Sequence, residues 1–259
     1  MNPIVVVPTY NEKENLPTLV EQIRQQPGNF HILIVDDNSP DGTGDLADDL
    51  SRTHRGEVLV LHRPAKQGLG RAYVAAFQHI LTSDLPYDVI LQMDGDLSHH
   101  PSYLPDFLKA IENNDLVLGS RYITGINVVN WDFKRLILSK IATKYVQIIT
   151  GMRYSDTTGG FKCWRRRALE TIDLDKVHAN GYLFQVETTY RAQLMKLRIG
   201  EVPIIFYERN LGRSKIAVNI ITEALWGVVR LRLMAALRPV PRPGPEKLTS
   251  LDSAGTEKP

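Results

Sequence analysis

Short apolar runs, each followed by a polar turn-rich stretch and an amphipathic segment, set the pattern of the chain. Ile4-Val5-Val6-Val7, Ile32-Leu33-Ile34-Val35, Val58-Leu59-Val60-Leu61 and Val89-Ile90-Leu91 carry no polar residue. Continuous β-branched and aliphatic runs of this length suit strands buried on both faces of a parallel sheet. The segments between them, near 15–25, 44–53 and 68–81, read as helices. Leu116–Tyr122 and Glu201–Phe206 predict two more strands, and 102–112 and 181–196 two more helices. Alternation of this kind predicts an α/β fold with a mostly parallel central sheet. One domain is expected over residues 1–237; residues 238–259, rich in Pro, Gly and Ser, read as a disordered tail.

Two helical segments do not fit a simple inside-outside pattern. Between Trp131 and Thr150, Phe133, Ile137, Ile141 and Tyr145 form one stripe, Lys140 and Lys144 share another face, and Arg135 lies elsewhere. Such a helix either packs into the core by its apolar stripe or lies on an anionic membrane surface. Residues 216–237 form a second, mostly apolar helix interrupted by Glu223 and Arg230. No stretch approaches the ~20 uncharged residues that a spanning helix needs.

The totals narrow the options. At 259 residues and 23% charged, the chain is long enough for a sizeable core. A net charge of +2 gives no polyanion-binding signature, so no nucleic-acid partner is expected. Cys163 is the only cysteine, which excludes an internal disulfide and fits a reducing compartment. The apolar start, Met1 to Pro8, has neither a basic leader nor a small-residue cleavage site. The expected location is cytoplasmic, peripheral on the cytoplasmic face of a membrane.

Candidate chemistry gathers where strands end. Asp94-Gly95-Asp96 follows the fourth run and puts two hard oxygen ligands where open α/β sheets bind their ligands. Hard oxygens suit Mg2+ or Mn2+, held by one or two carboxylates plus substrate phosphates. Asp36-Asp37-Asn38-Ser39-Pro40-Asp41-Gly42-Thr43 is either a ligand loop or a turn with a helix cap. Lys66 to Arg71 carries two glycines that could admit a phosphate at a helix N-terminus, without a full fingerprint. His99 and His100 are lesser metal candidates. Arg121, just past a strand, suits a phosphate or a loop anchor. Glu208 to Lys215, with three cations and a glycine, reads as a lid or a solvated loop.

Taken together, Pro8-Thr9-Tyr10-Asn11-Glu12, Val35 to Thr43, Gly68-Leu69-Gly70, Asp94-Gly95-Asp96 and Gly119-Ser120-Arg121-Tyr122 resemble the family 2 glycosyltransferases. Within that family the resemblance is to the dolichol- or polyprenol-phosphate mannose synthases, over roughly residues 4 to 230. It implies a single glycosyltransferase A-type, Rossmann-like domain with peripheral amphipathic helices near 131–150 and 216–237. It implies transfer of mannose from GDP-mannose to dolichyl or polyprenyl phosphate, with inversion; a UDP-glucose-dependent enzyme is the alternative. By position it places the nucleotide sugar on Pro8, Tyr10, Glu12, Val35, Asp37, Asp94, Gly95, Asp96, Arg121, Arg209 and Lys215. It gives the metal to Asp94 and Asp96, with Ser98 where the family often has Gln, and the lipid phosphate to Arg135, Ser139 and Lys215. Asp156 falls in the acceptor loop as a base candidate alongside the catalytic Asp94, Asp96, Arg121 and Arg135. The loop reads Thr158-Gly159-Gly160-Phe161 where the family has Ser-Gly-Phe. Gln185 and Glu187 match positions without an assigned role. A separate membrane-anchoring protein stays open as a partner.

Overall fold

The computed structural model describes residues 1–177, 179–207 and 218–237. Strands β1 (Pro3–Thr9), β2 (His31–Asp36), β3 (Val58–His62) and β4 (Val89–Gln92) alternate with helices α1 (Leu16–Arg24), α2 (Thr43–Thr53) and α3 (Leu69–Thr82). Then follow α4 (Leu104–Ile111), β5 (Leu116–Ser120), β6 (Val128–Val129) and α5 (Phe133–Thr150). The chain continues through β7 (Lys162–Arg165), α6 (Arg166–Thr171), α7 (Gly181–Leu194), β8 (Ile199–Pro203), β9 (Phe206–Tyr207) and α8 (Val218–Leu237). The main sheet has the order β3-β2-β1-β4-β7-β5-β8, and only the pairings of β7 are antiparallel. The chain steps outward from β1 through β2 to β3, then returns to place β4 on the other side of β1. That reversal is a topological switch point, and a crevice opens there beyond the carboxyl ends of β1 and β4.

The apolar runs form strands because both faces are covered. Ile4 and Val6 of β1 pack with Tyr73, Phe77, Trp164 and Phe184 on one side. Val5 and Val7 pack with Leu16, Leu19, Ile23 and Phe107 on the other. The alternation is the period of two of an extended chain, filled on each face by helices. A third cluster, Val146, Met152, Val186, Tyr190, Val228 and Leu231, ties α5, α7 and α8 together.

Four elements differ from the sequence reading. The one strand expected over Glu201–Phe206 is two, β8 and β9, in separate sheets. β6 and α6 were not expected, and neither was β7. Lys162 and Arg165 masked the strand, since a lysine in a central strand needs its charge satisfied internally. Here α7 does that. Lys162 Nζ donates to the Gln185 carbonyl at 2.7 Å, to Thr189 Oγ1 at 2.9 Å and to Thr188 Oγ1 at 3.1 Å.

Burial pushes the Lys162 ammonium down to about 7, against the pull of Asp156. In the unfolded chain a lysine titrates near ~10.4. Between those values the unfolded state binds one proton more, so stability rises with pH across that window. Lys162→Met should therefore flatten the stability curve between roughly pH 7 and 10, by about 1 kcal/mol per pH unit. Urea unfolding midpoints at several pH values would measure it, and an unchanged slope would refute the neutral amine.

The two readings of the 131–150 helix also separate. Thr143, Val146 and Thr150 face the domain. The apolar stripe faces away from it: Phe133 is 74% exposed, Ile141 60% and Ile148 71%, with Ile137 also outward. Beside it on α8, Trp226 is 76% exposed, with Leu225, Leu233 and Met234 outward too. Tyr145, part of the predicted stripe, instead turns to α8 and donates to the Leu225 carbonyl at 2.9 Å.

Candidate active site

The crevice at the switch point is lined by Pro8, Thr9, Tyr10, Glu12, Asp37, Lys66, Gly68, Leu69, Ala72, Asp94 and Gly95. Six of the eleven residues expected around the nucleotide sugar thus share one cleft. Val35 does not: it is a residue of β2, fully buried in the core. Arg209 and Lys215 lie outside the described residues.

The loops that form the cleft are laced to one another. Asp36 accepts from the amide and hydroxyl of Ser39, at 3.1 and 2.6 Å, and Asp41 accepts from the amide and hydroxyl of Thr43. The Asn11 amide donates to Ser39 Oγ and the Glu12 amide to Thr43 Oγ1, each at 3.1 Å. For Asp36, Ser39, Asp41 and Thr43 these bonds support the turn reading, while α2, which starts after Gly42, has no side-chain cap. Asp37 faces the cleft and pairs with buried Arg63. Lys66 sits 3.8 Å above the Tyr10 ring. Arg63 and Lys66 follow β3, and the sequence reading gave neither a role. Of the two glycines expected to admit a phosphate, Gly68 lines the cleft, but Gly70 serves packing. A Cβ on Gly70 would meet the Ala179 carbonyl oxygen at 2.5 Å, so only glycine lets α3 and α7 approach this closely.

Asp94 and Asp96 follow β4. Tyr73, buried on α3, donates to Asp94 Oδ1 at 3.3 Å. Burial, and then the negative charge of Asp94, raise the Tyr73 phenol well above its ordinary pKa, so it stays a donor. Asp96 Oδ1 accepts the Ser98 amide at 3.0 Å. Ser98 is itself buried, and its hydroxyl has no hydrogen-bond partner among the described residues. A buried hydroxyl without a partner, on the residue whose amide binds Asp96, fits a hard divalent cation held there. His99 does not present Nδ1 as a ligand: that nitrogen accepts the Asp94 amide at 3.1 Å, and the ring stacks on Phe161. His100 caps the short helical turn at Pro101–Tyr103 by accepting the Ser102 amide.

A second cluster lies past β5. Arg121 donates from Nε to Asp156 Oδ2 at 2.6 Å, and from Nη2 to Asp156 Oδ1 at 2.8 Å and Thr158 Oγ1 at 2.9 Å. Both members of the pair are buried. Burial alone would lower the Arg121 pKa and raise that of Asp156, but their mutual attraction outweighs it. Arg121 is held above its usual value and Asp156 below it. The base candidate is thus an anchored, strongly ionised carboxylate whose oxygens are committed to an arginine. Arg121 and Arg135 both lie against the Trp131 ring, with guanidinium carbons 5.3 and 4.4 Å from its centre. Tyr122 donates to Ser139 Oγ at 2.7 Å, leaving the Ser139 proton able to point elsewhere. Glu187 accepts from the Ala179 amide and from Arg191 and pins the entry to α7.

Comparison with known proteins gives this geometry a context. The chain is 45% identical over 231 residues to a polyprenol monophosphomannose synthase of Mycolicibacterium smegmatis, spanning 87% of this chain and 86% of that protein. It is 43% identical over 235 residues to an undecaprenyl-phosphate mannosyltransferase of Micrococcus luteus, spanning 91% and 96%. Among solved structures, a mannosyltransferase from Pyrobaculum calidifontis in complex with GDP-Man and Mn2+ matches with a TM-score of 0.59 at 19% identity, over 98% of this chain and 69% of that one. Glucosyl-3-phosphoglycerate synthase from Mycobacterium tuberculosis, with Mn2+ and UDP, matches at 0.59 and 16%, over 94% and 82%. Similarities this distant speak for the shared A-type glycosyltransferase fold. The family model described as glycosyl transferase family 2 matches residues 4–173, and the chain belongs to that family.

Proposed function

We infer that the protein transfers mannose from GDP-mannose to a polyprenyl phosphate at a membrane surface. One observation carries the acceptor class. Arg135 and Ser139 sit on the domain side of α5, against Trp131 and Tyr122, while the opposite side of the same helix is apolar and exposed. A phosphate-binding pair backed by an uncovered apolar face suits an acceptor that is a phosphate on a hydrocarbon chain. The names of the relatives at 43–45% identity support the same acceptor class and the mannosyl group.

In this reading the nucleotide lies in the cleft over Pro8, Tyr10, Glu12 and Asp37, with its diphosphate toward Asp94 and Asp96. These carboxylates and the Ser98 hydroxyl would hold Mg2+ or Mn2+, which when bound supplies positive charge to the leaving diphosphate. Arg121, held rigid by Asp156, adds a fixed cation on the same side. The acceptor phosphate rests on Arg135 and Ser139. Its second pKa is about 6, so it is already a dianion for much of the time near neutral pH and needs no general base. Its oxygen attacks the anomeric carbon as the bond to the nucleoside diphosphate breaks, giving inversion. Arg209 and Lys215 would add cations for the diphosphate and the acceptor.

The direct test follows labelled sugar into lipid. Purified protein with Mn2+, polyprenyl phosphate and detergent should move mannose from GDP-mannose. Transfer of glucose from UDP-glucose in place of mannose would overturn the donor assignment.

The outward stripe gives a separate prediction. Among the described residues no helix is long and apolar enough to cross a membrane, so contact would be from the side. Lys134, Lys140 and Lys144 are exposed on the same helix, and each cation near an anionic surface adds about 1 kcal/mol. Replacing Ile141 and Ile148 together by Ser should weaken sedimentation with anionic vesicles by about tenfold or more. Raising the salt should weaken the parent protein as well. Unchanged binding would remove α5 from the membrane face.

A further inference from the structure

Gln185 is a polar side chain at the centre of the molecule with no partner among the described residues. It is 2% exposed, and both Oε1 and Nε2 are buried without a hydrogen bond. Its backbone is fully employed, since its carbonyl accepts Lys162 Nζ and the Thr189 hydroxyl. Native structures seldom leave a buried carboxamide unmet, and a group left so is a candidate for meeting a ligand. The side chain borders the space over Gly160. A Cβ added there would lie 3.3 Å from Gln185 Nε2, 3.5 Å from His99 Cε1 and 3.7 Å from Asp94 Oδ2. Gly160 thus lies between the carboxamide and the first carboxylate of Asp94-Gly95-Asp96, where even a Cβ would fit tightly, so a ligand atom meets Gln185 only as this loop gives by a few tenths of an ångström.

The chemistry of the unmet atoms selects among ligands. A carboxamide offers two N–H donors and one carbonyl acceptor. A phosphate dianion could satisfy the donors but has no proton for the acceptor. A divalent cation could satisfy the acceptor but not the donors. A hydroxyl accepts and donates at once, and a hexose beside the diphosphate presents several. We propose that Gln185 reads a hydroxyl of the transferred hexose and so contributes to the choice of donor sugar. The proposal rests on the donor reading above, in which the diphosphate lies at Asp94 and Asp96.

Gln185→Met keeps the length of the side chain and removes both polar functions. A glutamine held for structure would lose stability on this change. An unmet one should lose none, and the melting temperature should hold or rise. Calorimetry in Mn2+ should show affinities for Mn2+ and for GDP within about twofold of the parent, and affinity for GDP-mannose lower by about tenfold, the worth of one hydrogen bond. Deoxy analogues of GDP-mannose sharpen the result. One of them should bind the parent about tenfold more weakly than GDP-mannose but bind Gln185→Met no worse than GDP-mannose does. Equal loss of GDP and GDP-mannose affinity, loss of Mn2+ affinity, a lowered melting temperature, or the same penalties for every analogue in both proteins would each overturn the proposal. If the parent binds UDP-glucose in place of GDP-mannose, the donor reading fails by itself. The same comparison with UDP, UDP-glucose and its deoxy analogues then still decides the role of Gln185.

Discussion

Asp96→Asn should cut metal-dependent sugar transfer by about three orders of magnitude while leaving the fold intact. A cation on a leaving diphosphate is worth several kcal/mol, and each ~1.4 kcal/mol is tenfold in rate. The fold should survive because the Ser98 amide donates to Oδ1, and an asparagine oxygen can accept that bond equally well. What the amide cannot do is bring negative charge to a hard cation. Binding of Mn2+, followed by calorimetry or by its spin-resonance signal, should therefore weaken in step with activity at an unchanged melting temperature. Ser98→Ala tests the smaller contribution. It removes the unpartnered hydroxyl and should weaken Mn2+ binding modestly at no cost in stability. Full activity of Asp96→Asn would remove that carboxylate from the metal shell.

Much of this site was legible because it is built from strand ends. The aliphatic runs of β1, β2 and β4 can be placed from composition alone, and the residue just past a buried strand lies at the ligand edge of the sheet. That argument pointed to Asp94, Asp96 and the loop that holds Asp37. Pro8 and Val35 were placed only by the family resemblance; Pro8 lines the cleft, and Val35, one residue before the end of β2, is core. The reading of strands from aliphatic runs missed β7. Lys162 and Arg165 obscured a strand whose cations are met by distant parts of the chain, Lys162 by acceptors on α7 and Arg165 by the Asn114 and Glu112 carbonyls.

Residues that act through others were the least legible. Tyr73 reads as one more apolar helix position, yet it orients Asp94. Arg63 neutralises Asp37 from the next loop. Gln185 gave no signal beyond its place in a motif, because the absence of partners is a property of the folded chain. The direction of the α5 stripe was open for a related reason. Periodicity shows that a helix has two faces, and only packing shows which one the domain covers. Here α7 and α8 take Val146, leaving Phe133, Ile141 and Ile148 outside.

Asp156 separates a base from an anchor, and its replacement should have the larger effect on stability. Removing one partner of a buried ion pair typically costs about 3–5 kcal/mol, because the other charge is left uncompensated. Asp156→Ala should therefore unfold earlier in denaturant by roughly that amount at pH 7, and transfer should fall as Arg121 loses its only described carboxylate contacts. The pH dependence has a definite sign. The Asp156 carboxyl is held below its ordinary value, so its contribution is fully present above about pH 4, the unfolded value, and is lost as pH falls through the lower folded one. Asp156 also pulls on Lys162, which titrates at about 7, so the comparison belongs in a Lys162→Met background: there the stability gap made by Asp156→Ala should be flat from about pH 5 to 8 and close only in stronger acid. A general base would give the reverse pattern, with stability little changed and the alkaline-rising limb of the rate profile abolished. The double variant Arg121→Met with Asp156→Ala decides the matter. Replacing both charges should recover the part of the lost stability that comes from an uncompensated Arg121, though not the bonds that Asp156 accepts from the Arg121 and Thr158 amides. Transfer should stay low, because the proposed reaction assigns Arg121 to the leaving diphosphate. Recovery of activity together with stability would show that the pair only holds the loop in place.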